Sequence, residues 1–157
     1  MADDRVFLDQ AIQLARRNVD SGGRPFGALV VRDGEVLATG VNAILSTNDP
    51  TSHAELNAIR AASQRLGSPR LDGCTVYASG HPCPMCMAAM QMTGVREVVY
   101  AFSNEDGEPY GLSTASVYAE LAKPFAERAI TIRHVPVEGI SSQDLYPYWQ
   151  ELTSSRP

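Results

Sequence analysis

Long apolar runs are missing from this sequence. The stretch Phe26-Gly27-Ala28-Leu29-Val30-Val31 falls far short of the roughly 20 residues that cross a bilayer, so no membrane-spanning helix is expected. Positive charge is scarce: 13 Lys and Arg face 18 Asp and Glu, a net charge of −5. That balance argues against a sequence-independent nucleic-acid binder or a membrane-surface protein, since both need a basic face to meet phosphate. Cysteine is sparse and odd in number, three in all, which excludes a disulfide framework and favours a reducing compartment with a metal or redox role. The start, Met1-Ala2-Asp3-Asp4-Arg5, has neither the cationic opening nor the apolar core of a secretory leader, so a cytoplasmic location is expected. Repeats, low-complexity tracts and Pro/Gly/Ser-rich linkers are also lacking. What remains is 157 residues, 44% apolar and 20% charged, an ordinary globular composition. Residues 1–157 read as a single domain, which at this length buries about two-thirds of its chain surface.

Hydrophobic spacing gives the order of elements. Asp3 or Asp4 can cap a first helix whose apolar positions Phe7, Leu8, Ala11, Ile12, Leu14, Ala15 and Val19 recur every three to four residues; Gly22-Gly23 ends it. Two β-type runs follow, Phe26 to Val31 and Val36 to Val41, and Asp33-Gly34 between them is a strong hairpin signal. The first run is apolar throughout, as a strand covered on both faces must be. After a polar loop (46–50), the pattern predicts a helix over 52–65, a strand over 74–78, a helix over 84–92 and a strand over 95–102. A polar loop spans 103–111. A helix over 114–122, a strand at Ala129 to Val135 and an amphipathic segment near 143–152 complete the chain. Strands and helices alternate from the third strand on, which implies parallel neighbours with crossover helices. The expected architecture is a three-layer α/β/α sandwich on a mixed sheet of about five strands.

Chemistry concentrates in Thr51-Ser52-His53-Ala54-Glu55 and Pro82-Cys83-Pro84-Met85-Cys86, each opening a predicted helix. Cys83 and Cys86 share one face of a helical turn, and the positive end of the helix dipole favours their thiolates. Pro84 suits the first helical turn. With the two helix N-termini side by side, His53 supplies a third ligand. Two thiolates and an imidazole suit zinc better than magnesium or calcium, and three protein ligands leave one tetrahedral position for water. Glu55 lies beside the metal without being needed as a ligand, placed to take a proton from that water. Other readings stand beside this one. Cys-x-x-Cys also serves as a redox dithiol, or as half of a closed structural site if Cys74 were the fourth ligand. Cys74 sits in an apolar strand and reads as core. Ser52-x-x-Glu55 also fits a capping box, a purely structural helix start.

His-Ala-Glu followed about 30 residues later by Pro-Cys-x-x-Cys resembles the cytidine deaminase superfamily of zinc-dependent hydrolytic deaminases. Pro25-Phe26-Gly27-Ala28, Asn42 and Asn48-Asp49-Pro50-Thr51-x-His53-Ala54-Glu55, with the Cys motif, look like its bacterial guanine deaminase branch, and the similarity spans nearly the whole chain. The resemblance implies that His53, Cys83 and Cys86 hold one zinc and that Glu55 shuttles protons. It also implies that Asn42 hydrogen-bonds the base, that Phe26 walls its ring and that the Ala54 N–H meets a ring carbonyl. In this branch a C-terminal segment crosses to a partner and covers its active site. Residues 140–157, with Leu145-Tyr146-Pro147-Tyr148-Trp149, match that segment loosely, which implies a homodimer with Trp149 against the substrate. A helix packed on its own domain is the plain alternative.

Two departures bear on the substrate. His81 precedes Pro82 where the branch commonly has Glu; it reads as a residue of the pocket mouth or an exposed loop histidine. The lead-in to the late helix normally carries an acid, and here it is Gly111-Leu112-Ser113-Thr114-Ala115-Ser116. Glu105, Asp106 and Glu108 lie nearby in sequence, but a register shift would be needed to bring one in. Thr114 is expected to touch the substrate, yet a hydroxyl is no carboxylate base at neutral pH. A guanine-like purine is expected, with cytosine, a modified pyrimidine or an amino-triazine also open. Met85, Met87, Met90 and Met92 are expected to give one or two side chains to the pocket. Two further readings remain: a tRNA adenosine deaminase, and a zinc-stabilised scaffold without catalysis.

Overall fold

The computed structural model describes residues 3–154; Met1-Ala2 and Ser155-Arg156-Pro157, on which the leader and tail readings partly fall, lie outside the described residues. Helix α1 (Asp4–Asp20) starts where the Asp3 carboxylate accepts the Arg5 amide at 3.0 Å, and it buries Phe7, Ala11 and Ala15, one residue per turn. Strands β1 (Gly27–Arg32) and β2 (Glu35–Val41) form the expected hairpin. Asp33 and Gly34 both take positive φ, 51° and 77°, the requirement of a tight turn whose twist matches the strands.

Helices α2 (Ile44–Thr47) and α3 (Ala54–Leu66) lead to β3 (Thr75–Gly80), α4 (Pro84–Thr93) and β4 (Glu97–Phe102). The sheet runs β2-β1-β3-β4, antiparallel at its first two pairings and parallel between β3 and β4, with α4 as the crossover. It is covered on both faces. Ala28, Val30 and Val76 pack with Ala58, Ile59 and Ala62 of α3 and Met90 of α4. Leu29, Val31 and Tyr77 point the other way and pack on Phe7 and Ala11 of α1. Successive β1 residues thus serve opposite cores, which is why that strand reads as unbroken apolar sequence. The Tyr77 hydroxyl donates to Asp4 at 2.8 Å and anchors the start of α1; burial first, then this carboxylate, pushes its pKa up to about 12.

Helix α3 lies close on the backbone of β2. A Cβ at Gly40 would press into the Ala54 carbonyl and the Ala58 amide nitrogen. Gly40→Ala is therefore expected to lift the N-terminal half of α3 from the sheet, costing about 1–3 kcal/mol in urea unfolding and lowering turnover with it. A variant as stable and active as the parent would show that this contact does not set the helix position.

Two expectations fail here. The sheet has four strands: Ala129 to Val135 forms no strand, and Ile130, Ile132 and Val135 are exposed. Its β-branched composition is compatible with a strand, but a strand exists only where a neighbour completes the ladder, and composition does not supply that neighbour. The loop over 103–111 is structured instead. Ser103 and Asp106 exchange side-chain and backbone hydrogen bonds in a capping box that opens α5 (Asn104–Gly107), followed by a 3₁₀ turn (Glu108–Tyr110) and α6 (Ala115–Leu121).

The described residues fall into two compact units divided between Ala122 and Lys123. The second holds a 3₁₀ turn (Phe125–Glu127), with the Arg128 guanidinium 4.6 Å over the Phe125 ring, and α7 (Ser142–Ser154). Leu145, Tyr146, Tyr148, Trp149 and Leu152 of α7 are exposed. No helix among the described residues is long and apolar enough to cross a membrane.

Candidate active site

Two helix starts build the site. His53 is the residue before α3, in extended backbone (φ −81°, ψ 153°), and Cys83 stands in the same relation to α4 (φ −70°, ψ 166°). Neither helix has a side-chain cap. Pro84 takes the first position of α4, and Cys86 follows one turn above Cys83, fully buried. Ser52 does not cap α3; its hydroxyl accepts from Asn57 at 3.1 Å, and Asn57 also donates to the Val41 carbonyl at 2.8 Å. The capping-box reading of Glu55 thereby lapses, since the helix begins one residue later than that box requires.

The three ligand atoms converge. His53 Nδ1 lies 3.3 Å from Cys83 Sγ and 3.5 Å from Cys86 Sγ, and the sulfurs are 3.5 Å apart. In a tetrahedron with bonds of about 2.3 Å to sulfur and about 2.0 Å to nitrogen, these edges would be roughly 3.5–3.8 Å. The donor set and its spacing fit zinc. Among the described residues this is the only group of three such side chains close enough to hold one ion. Hydrogen bonding to Cys86 pulls the Cys83 thiol well below its ordinary range, with His53 reinforcing it; the same contact and burial push Cys86 up. His53 is raised, chiefly by its bond to Cys83. Thiolates and a neutral imidazole are the forms that ligate a metal, so binding an ion here would release protons from the cluster. Cys74 is buried in the core and outside this group, its thiol raised by burial, in line with its reading as a core residue.

Glu55, in the first turn of α3, is 5% exposed. Burial raises its carboxyl, against an opposing bond from Cys86. It faces a cavity of about 130 Å³ lined also by His53 and Cys83, and by Phe26, Asn42 and Ala54. Ser113 and Thr114 close another side, with Arg24 and His81. Five of the residues expected at the substrate or proton-transfer positions, Phe26, Asn42, Ala54, Glu55 and Thr114, therefore meet in one space. Trp149 lies in the second unit, on α7.

Asn42 is held so that its chemistry is defined. Its Oδ1 accepts the Ile44 amide at 3.1 Å, so its Nδ2 is the group left for a ligand, and that group is a donor. Its main chain is fixed from both sides: its amide donates to Phe26 O at 3.2 Å and its carbonyl accepts Asn18 Nδ2 at 2.8 Å. Asn18 also donates to the Arg24 carbonyl, joining two walls of the cavity. No sequence pattern marks Asn18 for this task, because it sits near the end of an ordinary amphipathic helix. Thr114 has its amide bonded to Asn104 Oδ1 at 3.2 Å, while its hydroxyl is buried and has no hydrogen-bond partner, alone in this among the described side chains.

Two expectations are corrected. None of Met85, Met87, Met90 and Met92 lines the cavity; Met90 is core, Met87 packs beside it, and Met85 and Met92 face outward. His81 is not an exposed loop histidine; it is half-buried between two tyrosines and lines the cavity. Glu55 is the one carboxylate lining the cavity among the described residues, and Asp106 is engaged in its capping box.

A zinc centre of this composition at paired helix starts, with a buried glutamate beside it, defines a deaminase-type metal site. The model of the cytidine and deoxycytidylate deaminase zinc-binding region matches residues 1–102, and the chain belongs to that family. It is 38% identical over 154 residues to the guanine deaminase of Bacillus subtilis, covering 96% of each chain. The X-ray structure of guanine deaminase from Bacillus subtilis superposes with a TM-score of 0.84, over 96% of this chain and 94% of that one. A tRNA-specific adenosine deaminase from Aquifex aeolicus is 33% identical over 149 residues, 95% of each chain. Guanine deaminase from Nitrosomonas europaea is 29% identical, with a TM-score of 0.67 over 73% of this chain and 66% of its own.

Proposed function

We propose that this protein is a zinc-dependent aminohydrolase that converts the amine of a free heterocyclic base to a carbonyl and releases ammonia, with a guanine-like purine as the favoured substrate. The observation that carries the reading is the buried Glu55 carboxylate in the same small cavity as His53 and Cys83, with Cys86 completing the ligand set. When bound there, zinc supplies Lewis-acid charge that brings the ionisation of water towards neutral pH. Glu55 takes one proton from the attacking water and passes it to the ring nitrogen next to the amine-bearing carbon; it then moves the remaining proton of the new hydroxyl to the amine as the C–N bond breaks. Water and base become a carbonyl compound and ammonia, both shuttled protons having come from the water. Phe26 walls the ring, Asn42 Nδ2 and the Ala54 N–H donate to ring acceptors, and Thr114 completes the polar side.

The chain works as a cytoplasmic homodimer in this reading. Residues 140–157, carrying Tyr146, Tyr148 and Trp149, cross to the partner and cover its site, which agrees with the row of exposed apolar side chains on α7. Among the described residues no second carboxylate lines the cavity, which favours a second substrate reading, a ring that needs only one proton shuttle, such as cytosine or an amino-triazine. A net charge of −5 disfavours tRNA.

Ammonia release from the zinc-loaded protein tests the proposal, with guanine, adenine, cytosine, modified bases, amino-triazines and the nucleosides compared. A free base is expected to be fastest, since the cavity of about 130 Å³ beside the ligand cluster is of the size of one ring system. Guanosine outrunning guanine, or tRNA binding that weakens with added salt, would overturn it.

A further inference from the structure

His81 follows β3 and is held on several sides. Its amide donates to the Phe102 carbonyl at 2.8 Å, which continues the parallel pairing of β3 and β4 by one residue. Its ring meets Tyr100 at a centroid distance of 4.6 Å and Tyr118 at 5.4 Å, the latter edge to face at 89°. His81 Nδ1 lies 3.0 Å from the Pro82 carbonyl oxygen, and the Tyr118 hydroxyl donates to the same oxygen. A carbonyl only accepts, so Nδ1 carries the hydrogen in that bond. In the neutral ring Nε2 is then a lone-pair acceptor. No protein group among the described residues hydrogen-bonds it.

The ring stands where two cavities meet. One is the metal-site cavity; the other is a mostly apolar space of about 400 Å³ on the α1 side, and Phe26, His81 and Leu112 line both. The metal-site cavity is lined by Asn42 with its free donor, by Thr114 with a hydroxyl of either sense, and by His81, whose Nε2 is the ring nitrogen not bonded to Pro82.

We propose that His81 Nε2 accepts a ring N–H of the substrate, so that this side chain selects a heterocycle with a free ring N–H over its N-substituted counterpart. The inference deepens the deaminase reading and rests on it. An N-methyl or N-glycosyl group at that ring position leaves the imidazole lone pair facing carbon in a confined space, and a site built around a hydrogen bond rejects an analogue lacking it strongly. His81 is a specificity-determining residue in this scheme and takes no part in proton transfer.

The test measures kcat/KM for guanine, or the best base of the ammonia screen, against derivatives methylated at each ring nitrogen in turn. The parent protein is expected to disfavour one derivative by at least tenfold beyond the others. His81→Phe keeps a flat ring and removes the acceptor; it should lower kcat/KM for the free base at least tenfold while leaving that derivative within threefold, with zinc content unchanged. His81→Gln, which restores an acceptor oxygen, should recover part of the ratio. Tyr118→Phe frees one of the two donors on Pro82 and should raise KM for the free base with a smaller change in kcat. A ratio that stays within threefold in His81→Phe with zinc still bound overturns the proposal alone. Failure of the parent protein to release ammonia from any free base overturns the deaminase reading and this inference with it.

Discussion

Glu55→Gln is expected to retain zinc, fold normally and lose turnover by about 10³-fold, within the range that a general acid–base group contributes. The replacement keeps the shape of the side chain and removes its ability to gain and lose a proton. Burial already holds this carboxyl above its ordinary range, which favours the form that carries a proton. Had Glu55 been a helix cap, its loss would appear as lower stability with turnover largely kept. The structure removes that role, because α3 starts after His53 and Ser52 is bonded to Asn57. Metal content, thermal unfolding and ammonia release on one preparation separate the two. Near-parental turnover in the variant would end the catalytic assignment and leave the scaffold reading.

The second large effect concerns Cys86. Cys86→Ser replaces a fully buried thiolate ligand with a hydroxyl that does not ionise near neutral pH. Zinc affinity should fall by more than the 10–100-fold seen when only an outer partner of a ligand is changed, and activity should fall with it. A lower Tm is also expected, since metal that binds only the folded chain stabilises it. Cys74→Ser is the matched control. It makes the same atomic change in a buried strand residue outside the ligand group, so it should destabilise while keeping zinc and activity. Atomic absorption on both dialysed variants decides the matter. Equal zinc loss from both would mean that the thiols matter for packing and that the ligand assignment is wrong.

Much of this was legible in the sequence because local chemistry determines it. Asp33-Gly34 specifies a turn that few other pairs adopt, and Pro84 after Cys83 marks a helix start. His53-Ala54-Glu55 and Cys83-x-x-Cys86 fix which atoms can share a face within a turn. What the sequence concealed depends on distant pairing. Ala129 to Val135 has the composition of a strand, but no ladder partner can be read from composition. The methionines of α4 follow helical spacing, yet which of them meets the cavity depends on how α4 is rotated against β3. The sequence left His81 open between the pocket mouth and an exposed loop, because nothing in its neighbourhood announces that Tyr118, 37 positions later, would pin it through the Pro82 carbonyl.

The bare starts of α3 and α4 carry a consequence of their own. Helices ordinarily begin with a serine, threonine, aspartate or asparagine that satisfies the first free amides, and here those positions are given to His53 and Cys83. The first turns of both helices therefore draw less on their own side chains for order and more on whatever ion and ligand the site collects. Amide hydrogen exchange at Ala54–Leu56 and Met85–Met87 would then report occupancy, slow in the loaded protein and fast in the stripped one, while the strands beneath stay protected in both.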